Sequence, residues 1–188
     1  LSDGYRFLEY HKWKYSGKVF LPLMNPTTVK RTPVLMARIE GGIINSYNKY
    51  KRSPFGTYYM GGDMMSGSMG NYMNETIGLR GYKNGSIAGA NYDYAYSYMK
   101  ASLELRYPLI FEQSTTVWVL GFAEAGNAWS DISRYNPFDL KRSAGVGVRV
   151  MMPMIGLLGL DWGYGFDRPN GYNERGGSNI HFVLGRDL

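Results

Sequence analysis

The chain has 188 residues, a formal net charge of +6, no cysteine and two histidines, His11 and His181. Disulfide bonds and thiolate metal sites are therefore excluded within the chain, and two widely separated histidines argue against a histidine-based metal site. Lys and Arg are scattered singly along the sequence and form no basic patch, which argues against a nucleic-acid partner. We expect no metal, no cofactor and no nucleic acid.

Seven segments alternate between apolar and polar residues with a period of two. Such alternation is typical of a strand with one apolar and one wet face, and no segment keeps a helical period through two turns. In one segment, Leu103 and Leu105 fall on the face opposite to Glu104. The predicted strands are residues 9–22, 33–45, 99–110, 114–126, 141–152, 156–167 and 178–187.

The connections between these strands alternate between short and long. The turn "PMIG" is tight, whereas the connection after Asn45 runs for more than fifty residues, to about residue 98. Several strands also reach the roughly 9–11 residues that a tilted transmembrane strand needs. Short turns on one side and long loops on the other are typical of outer-membrane β-barrels.

A water-soluble β-sandwich or lipocalin-like barrel would show the same alternation, with its apolar face in a core. The membrane barrel is favoured because several apolar faces end in Tyr, Trp or Phe, as an interfacial girdle requires, and because the polar faces suit a wet lumen. Seven strands do not close such a barrel, and an open edge in lipid leaves backbone groups unsatisfied. Because the sequence also begins in mid-pattern with "LSDGYRF", we expect further strands upstream.

The long connection contains the tetrapeptide "LRGY", and the strands after it carry further motifs. Leu79, Arg80, Gly81 and Tyr82 match a Val/Leu-Arg-Gly-Phe/Tyr pattern, and "GFAEAGNAW" matches Phe-x-Asp-x-Gly with Glu124 in place of Asp. The segments "KASLELRYP", "RSAGVGVRVMMPMIGLLGLDWGYGF" and "IHFVLGRDL" follow in order. Together these motifs resemble the BamA superfamily of outer-membrane assembly and translocation barrels.

The resemblance covers roughly residues 9 to 188. It implies an all-β fold, a transmembrane antiparallel β-barrel of which this chain is the last seven of sixteen strands. The long connection, residues 46–98, is then a lid loop folded into the lumen. The periplasmic POTRA domains and the earlier strands of such proteins are absent from this chain.

Arg80 is the candidate that fixes the lid in the lumen, a contact that the resemblance also implies. An arginine shielded from bulk water needs partners, and its planar fork can bind two carboxylates. Glu104 and Glu124 lie on the polar faces of neighbouring strands, and Asp161, two strands further on, is a third inward acid. Gly81 permits a tight bend of the backbone. The alternative is that Arg80 is an ordinary solvated loop charge, of the kind that contributes little.

The other conspicuous residues and segments are explained by roles in the structure and not by chemistry of their own. The two histidines are expected to be plain strand residues, and residues 81–96 a solvated loop in preference to a partner surface. Glu104 and Glu124 are explained better by the lid arginine than as an acid–base couple, so we expect no enzyme. A run of methionines is expected to pack irregularly inside the lumen, namely Met60, Met64, Met65, Met69 and Met73.

The closing strand is the candidate functional seam, with Phe182, Gly185 and Leu188 as its marker residues. Gly185 lacks a side chain and is expected to kink or loosen this strand. The strand resembles the C-terminal recognition signal of outer-membrane barrels, although Leu188 stands where an aromatic residue is usual. By resemblance, the protein inserts β-barrel proteins into the bacterial outer membrane by pairing strands at this seam.

The resemblance implies three kinds of partner: unfolded outer-membrane proteins, accessory assembly lipoproteins, and outer-membrane lipid or lipopolysaccharide. A two-partner secretion transporter or a related translocation barrel is the alternative within the same superfamily. A passive porin predicts an open lumen with no need for Arg80, and a water-soluble ligand-binding barrel predicts a protein that stays in solution without detergent.

Overall fold

The computed structural model describes residues 10–25, 31–47, 53, 55–63, 74–88, 95–112, 115–154 and 156–185. A 3-10 turn at Ile132–Arg134 accompanies the strands. Within these ranges, no helix is both long and apolar enough to cross a membrane. The strands are β1 (His11–Pro22), β2 (Val34–Asn45), β3 (Tyr58–Met60), β4 (Glu75–Ile77), β5 (Ser97–Phe111), β6 (Thr116–Trp129), β7 (Lys141–Met152), β8 (Gly156–Gly165) and β9 (Gly177–Leu184).

Seven of the strands form one antiparallel sheet in the order β1-β2-β5-β6-β7-β8-β9. The predicted all-β fold and its seven antiparallel strands are confirmed. The largest difference lies at the lid end of β5 and β6, where pairing extends to Ser97 and Trp129. There both faces of β6 are buried from Gly126 to Trp129, so the alternation that marks a strand is lost.

The two faces of the sheet have an inverted polarity compared with a water-soluble fold. The outer face exposes large apolar residues, including Leu103, Val146 and Trp162. The inner face buries charges, including Glu104 and Arg149, each with no exposed surface. Water-soluble proteins bury apolar residues and expose charges, so this sheet suits lipid outside and a polar interior inside.

The lid, the connection between β2 and β5, packs against the inner face of the sheet. Its short strands β3 and β4 pair in parallel, and isolated bridges join Tyr58 to Ala95, Met60 to Ala88 and Gly62 to Leu79. The main apolar core therefore lies between the lid and the sheet. Its buried members are Ile44, Tyr58, Met60, Ile77, Leu79, Tyr82, Ile87, Ala88, Ala95, Tyr98 and Ala128.

Two expectations about the lid are affected by this packing. The solvated-loop interpretation of residues 81–96 is wrong where the structure describes them, because Tyr82, Ile87 and Ala95 are buried. Met60 is fully buried against Gly126, where an added Cβ would lie 2.6 Å from the Met60 Cε atom. The other candidate methionines, Met64, Met65, Met69 and Met73, lie outside the described residues.

Candidate functional site

The turn that carries Arg80 is fixed by main-chain hydrogen bonds of the residue before it and is permitted by the glycine after it. Leu79 exchanges two main-chain hydrogen bonds with Gly62, each 3.0 Å long, and its side chain is buried in the lid core. Gly81 has φ = 84°, a left-handed conformation that residues with a Cβ rarely adopt. The chain therefore reverses at Gly81, and Arg80 is brought against the inner face of the sheet.

Glu124 of β6 makes the largest number of contacts with Arg80. Its carboxylate accepts hydrogen bonds from the Arg80 backbone N–H at 2.9 Å, from Nε at 3.1 Å and from Nη2 at 2.7 Å. The Ser102 hydroxyl donates to the same carboxylate at 3.2 Å. The pairing therefore survives the replacement of Asp by Glu in this motif, and one carboxylate binds both the main chain and the side chain of Arg80.

Two further acids contact the Arg80 guanidinium. Nη2 also donates to Glu104 of β5, and Nη1 lies 3.3 Å from an oxygen of Asp161 on β8. The side chains of Arg80 and of all three acids have no exposed surface. The candidate acids, which are far apart in the sequence, are thus brought together around one cation.

Phe122 of β6 completes the surroundings of the guanidinium. The Arg80 Cζ atom lies 3.7 Å from the centre of its ring, within the range of a cation–π contact. Burial alone would lower the pKa of Arg80, but the charges of Glu124, Glu104 and Asp161 raise that pKa above its ordinary value. Arg80 therefore stays charged. We refer to Glu104, Phe122, Glu124 and Asp161 as the Arg80 socket.

The acids of the socket also contact cations that belong to the sheet. Lys100 of β5 places its Nζ atom 3.2 Å from Glu124. Arg106, two residues after Glu104 on the same face of β5, donates from Nε to that glutamate at 2.8 Å. The side chain of Lys100 is 2% exposed, so its charge is nearly as desolvated as that of the acid.

Asp161 has its own cation, Arg149 of β7. The two guanidinium nitrogens Nη1 and Nη2 bind the two carboxylate oxygens at 2.6 and 2.7 Å, a bidentate pair. Glycines make room for it. A Cβ added at Gly147 would collide with the Asp161 carboxylate, and one added at Gly159 would lie 2.7 Å from the Arg149 Cδ atom.

The main chain of Gly81 is bound by the closing strand. Its N–H donates to the Nε2 atom of His181 at 2.9 Å, and its carbonyl accepts from the Asn179 side-chain amide at 3.0 Å. His181 is 4% exposed. The expectation that His181 is a plain strand residue is therefore wrong, because this side chain contacts the lid motif directly.

Tyr82 ties the motif to the loop end of β7 and β8. Its hydroxyl donates to the backbone carbonyl of Arg142 at 2.7 Å and accepts from the N–H of Asp167 at 3.3 Å. The side chain is fully buried. Burial is the main cause that raises the pKa of Tyr82 to about 12, so the hydroxyl remains protonated and able to donate.

Two glycines of β8, and Gly176 just before β9, let the lid lie directly against backbone. A Cβ added at Gly163 would lie 2.8 Å from the Gly81 nitrogen, and one at Gly176 would lie 2.8 Å from the Gly81 carbonyl oxygen. A Cβ at Gly165 would lie 3.0 Å from the Tyr82 ring. Side chains at these positions would separate the motif from the sheet, so we call the three residues the glycine floor.

The predicted seam residues are placed on or just after β9. Phe182 lies on the outer face and is 62% exposed. Gly185 follows the last residue of β9 in a left-handed conformation with φ = 72°, and its N–H donates to the Leu157 carbonyl at 2.8 Å. Leu188 lies outside the described residues.

The antiparallel sheet, its apolar outer face and the buried lid together define part of the wall of a β-barrel that holds a loop in its interior. Residues 4–188 match the Omp85 superfamily domain, so the chain belongs to the Omp85 superfamily. This match confirms the resemblance that the motifs carry.

The fold is similar to that of a crystallised relative. The crystal structure of BamA from Haemophilus ducreyi lacking POTRA domains 1-3 superposes with a TM-score of 0.61 at 21% sequence identity. The alignment covers 93% of this chain and 34% of that one, so the present chain spans about a third of the length of its relative. The comparison with curated protein sequences found no match.

Proposed function

We propose that the protein inserts β-barrel proteins into the bacterial outer membrane by pairing their strands with the edge of β9. The observation that carries this proposal is the form of β9. It is the shortest strand of the large sheet, with 8 residues against 10 to 15 in the others, and within the described residues it pairs only with β8. A short edge strand makes few ladder hydrogen bonds and presents donors and acceptors to an incoming strand.

The end of β9 supports the same role. Gly185 turns the chain into a left-handed conformation directly after Leu184, which ends the regular ladder there. The partners that follow from the proposal are unfolded outer-membrane proteins as substrates, accessory assembly lipoproteins, and the lipid or lipopolysaccharide around the apolar outer face. The proposal involves no catalytic residue and no cofactor.

Transport of a secreted polypeptide through the lumen is the second candidate function. The observation that favours it is the lid, whose buried core and Arg80 socket occupy the inner face of the sheet. A translocation barrel needs a plug that closes the lumen until cargo arrives. In this case cargo contacts inward-facing residues, whereas an inserted barrel contacts the edge of β9.

Site-specific cross-linking in the full-length protein distinguishes the two functions. Residues 1–188 contain no cysteine, so a cysteine introduced at a chosen position is the single one within them. Ser178→Cys lies on the outer face of the edge strand β9. Ala123→Cys is also exposed on the outer face, but it lies on β6, which is paired with a neighbouring strand on both sides. Lys14→Cys on β1 reports contacts with the interior.

Membranes containing each variant are supplied with an unfolded barrel substrate that carries one cysteine in its last strand. Insertion by edge pairing predicts disulfide cross-links at position 178 and none at position 123. Cross-links confined to position 14, obtained with a secreted polypeptide and not with the barrel substrate, would support translocation. Equal cross-linking at positions 178 and 123 would contradict the edge-pairing mechanism.

A further inference from the structure

The peptide groups on both sides of Gly81 are held by two side chains of the closing strand. The His181 Nε2 atom accepts from the Gly81 N–H at 2.9 Å, and the Asn179 Nδ2 atom donates to the Gly81 carbonyl at 3.0 Å. Asn179 and His181 are two residues apart on β9, so both point to the inner face. We call this pair the Gly81 clamp.

The clamp has a defined chemistry. Because the His181 Nε2 atom accepts a hydrogen bond, it carries no proton in this arrangement, and only an acceptor at that place can replace it. The Asn179 amide also donates to the carbonyls of Gly176 and Gly177, at 2.9 and 3.2 Å, which fixes its orientation. A buried backbone N–H that loses its acceptor is costly, so the lid depends on His181.

The clamp gives β9 a second attachment. Along the sheet, β9 is bound to β8 by the ladder from Leu158–Leu184 to Gly165–Gly177. From inside the barrel it is bound to the lid through Gly81. The residue before Gly81 is Arg80, which binds acids of β5, β6 and β8. Two adjacent lid residues thus connect the closing strand with the middle of the sheet.

This arrangement sets a condition on movement of the closing strand. Displacing β9 away from β8 breaks both hydrogen bonds of the clamp unless the lid moves with it. Undocking the lid removes the same two bonds from β9, which then depends on its eight-residue ladder with β8 and the packing of Val183 against Leu157. Any interaction that depends on two elements at once couples them reciprocally.

We propose that His181 and Asn179 are positioning residues that couple the docking of the lid to the attachment of the closing strand. The inference rests on the proposed function, in which β9 is the edge that receives an incoming strand. It adds that docking of the lid regulates how firmly this edge strand is attached. With the lid docked, β9 is held at two places. With the lid released, β9 is held at one, and the seam opens more readily.

Hydrogen–deuterium exchange, measured by mass spectrometry on the full-length protein in detergent and without substrate, tests the coupling. Peptides from β9 and from the lid turn at residues 79–88 are followed separately. His181→Leu removes the acceptor at nearly constant volume, and Asn179→Asp keeps the shape but removes the donor. Each lost hydrogen bond is expected to speed exchange by roughly fivefold in both regions.

The reciprocal variant is Arg80→Ala, which releases the lid without changing β9. It is expected to speed exchange in β9 as well as in the lid, while β1 and β2 stay protected. In the double variant Arg80→Ala with His181→Leu, the effect on β9 is expected to be smaller than the two single effects combined. His181→Gln, which again offers an acceptor to the Gly81 N–H, is expected to restore much of the protection.

Ile180→Val is the matched control, because Ile180 lies between the clamp residues and its side chain is 65% exposed on the outer face. The proposal would be overturned if the lid peptides exchanged at the same rate in His181→Leu as in Ile180→Val. Strictly additive effects in the double variant, or no rescue by His181→Gln, would also overturn it. Coupling without any substrate cross-link at position 178 would retain the clamp and contradict the proposed function.

Discussion

Two of the sites at which ion pairs join the lid to the sheet differ in their environment. On the β5–β8 side, Arg80 binds its socket with no exposed surface on any of the charged side chains. On the β1 side, Glu75 of β4 binds Lys12 at 2.7 Å and also Lys14, with side chains 24–47% exposed. The same lid is therefore attached by a dry anchor and a wet anchor.

The difference between the two anchors is one of solvation. Charges taken out of water must be paired completely, because each unpaired buried ion costs several kcal/mol, as a rough estimate. The socket meets this demand with three acids, a backbone N–H contact and the Phe122 ring. The Glu75 anchor is screened by water, and exposed pairs contribute roughly 0.2–1 kcal/mol. We therefore expect the lid position to depend mainly on the dry anchor.

Removing the cation of the dry anchor is expected to have the largest effect. Arg80→Ala removes three buried ion pairs at once, and although a strand cation stays beside each acid, we expect the free energy of unfolding to fall by about 3 kcal/mol. The measurement is urea unfolding of the full-length protein in lipid vesicles, followed by the mobility shift of the folded barrel in unheated gels. Arg80→Lys keeps the charge but loses the planar fork, so an intermediate value is expected.

An Arg80→Ala variant with the unfolding midpoint of the wild type would mean that the apolar core of the lid suffices to hold it. The comparison of anchors would then lose its basis. A loss of stability in Arg80→Ala that Arg80→Lys fully repairs would show that charge alone matters and that the fork geometry does not.

Filling the glycine floor is expected to have the next largest effect. Gly163→Ala places a Cβ 2.8 Å from the Gly81 nitrogen, which forces the motif away from β8. Overpacking of this kind costs about 1–3 kcal/mol, measurable in the same urea titration. Gly121→Ala on the outer face of β6 is the control, because no atom lies within 4 Å of an added Cβ there. Equal midpoints for the two variants would contradict close contact of the motif with β8.

Tyr82→Phe removes the hydroxyl that links the motif to Arg142 and Asp167. The lost hydrogen bond is expected to lower the free energy of unfolding by about 1 kcal/mol. Tyr107→Phe, on the outer face and 40% exposed, controls for the loss of a tyrosine hydroxyl from the sheet. A larger effect for Tyr107→Phe than for Tyr82→Phe would show that the Tyr82 hydroxyl does not stabilise the lid.

The wet anchor is expected to give the smallest effect. Glu75→Gln removes a partly exposed pair, so we expect a loss of less than about 1 kcal/mol that disappears at high salt. Glu112→Gln, an exposed acid at the end of β5, is the control. A loss as large as that of Arg80→Ala would reverse the ranking of the two anchors.

The wet anchor also predicts a pH dependence. Burial alone would raise the pKa of Glu75, but hydrogen bonds and charges from Lys12 and Lys14 lower it below its ordinary value of 4.5. A lowered pKa in the folded state means that the pair stabilises the protein above that value and that this stability is lost as the pH falls below it. The difference between wild type and Glu75→Gln is expected to vanish in acid.

The period of the sequence explains why the sheet was predictable. Each strand keeps its alternation because one face meets lipid and the other the interior, so the faces and the approximate limits of the strands follow from residue type. The signal ends where the lid covers the sheet, as at Asn127 to Trp129, because both faces are buried there. The three-residue strands β3 and β4 carry no such signal, since their pairing depends on the path of the whole lid.

Part of the candidate site could also be predicted from the sequence. The family motif indicated Arg80, and the alternation placed Glu104, Glu124 and Asp161 on the inner face. The same alternation places Lys100, Arg149 and His181 there too, which was the available clue to their contacts. Their partners depend on how the strands are staggered and where the lid crosses them, and no local pattern in the sequence encodes either.

The strand cations around the socket determine the charge that remains there when the Arg80 guanidinium is not bound. When Arg80 is in place, three acids face four cations, namely Arg80, Lys100, Arg106 and Arg149. When the guanidinium leaves, three acids face three cations, and each acid keeps one neighbour of opposite sign. The vacated socket is electroneutral, so in the translocation proposed above as the second function the lysines and arginines of the cargo would meet no unpaired carboxylate there.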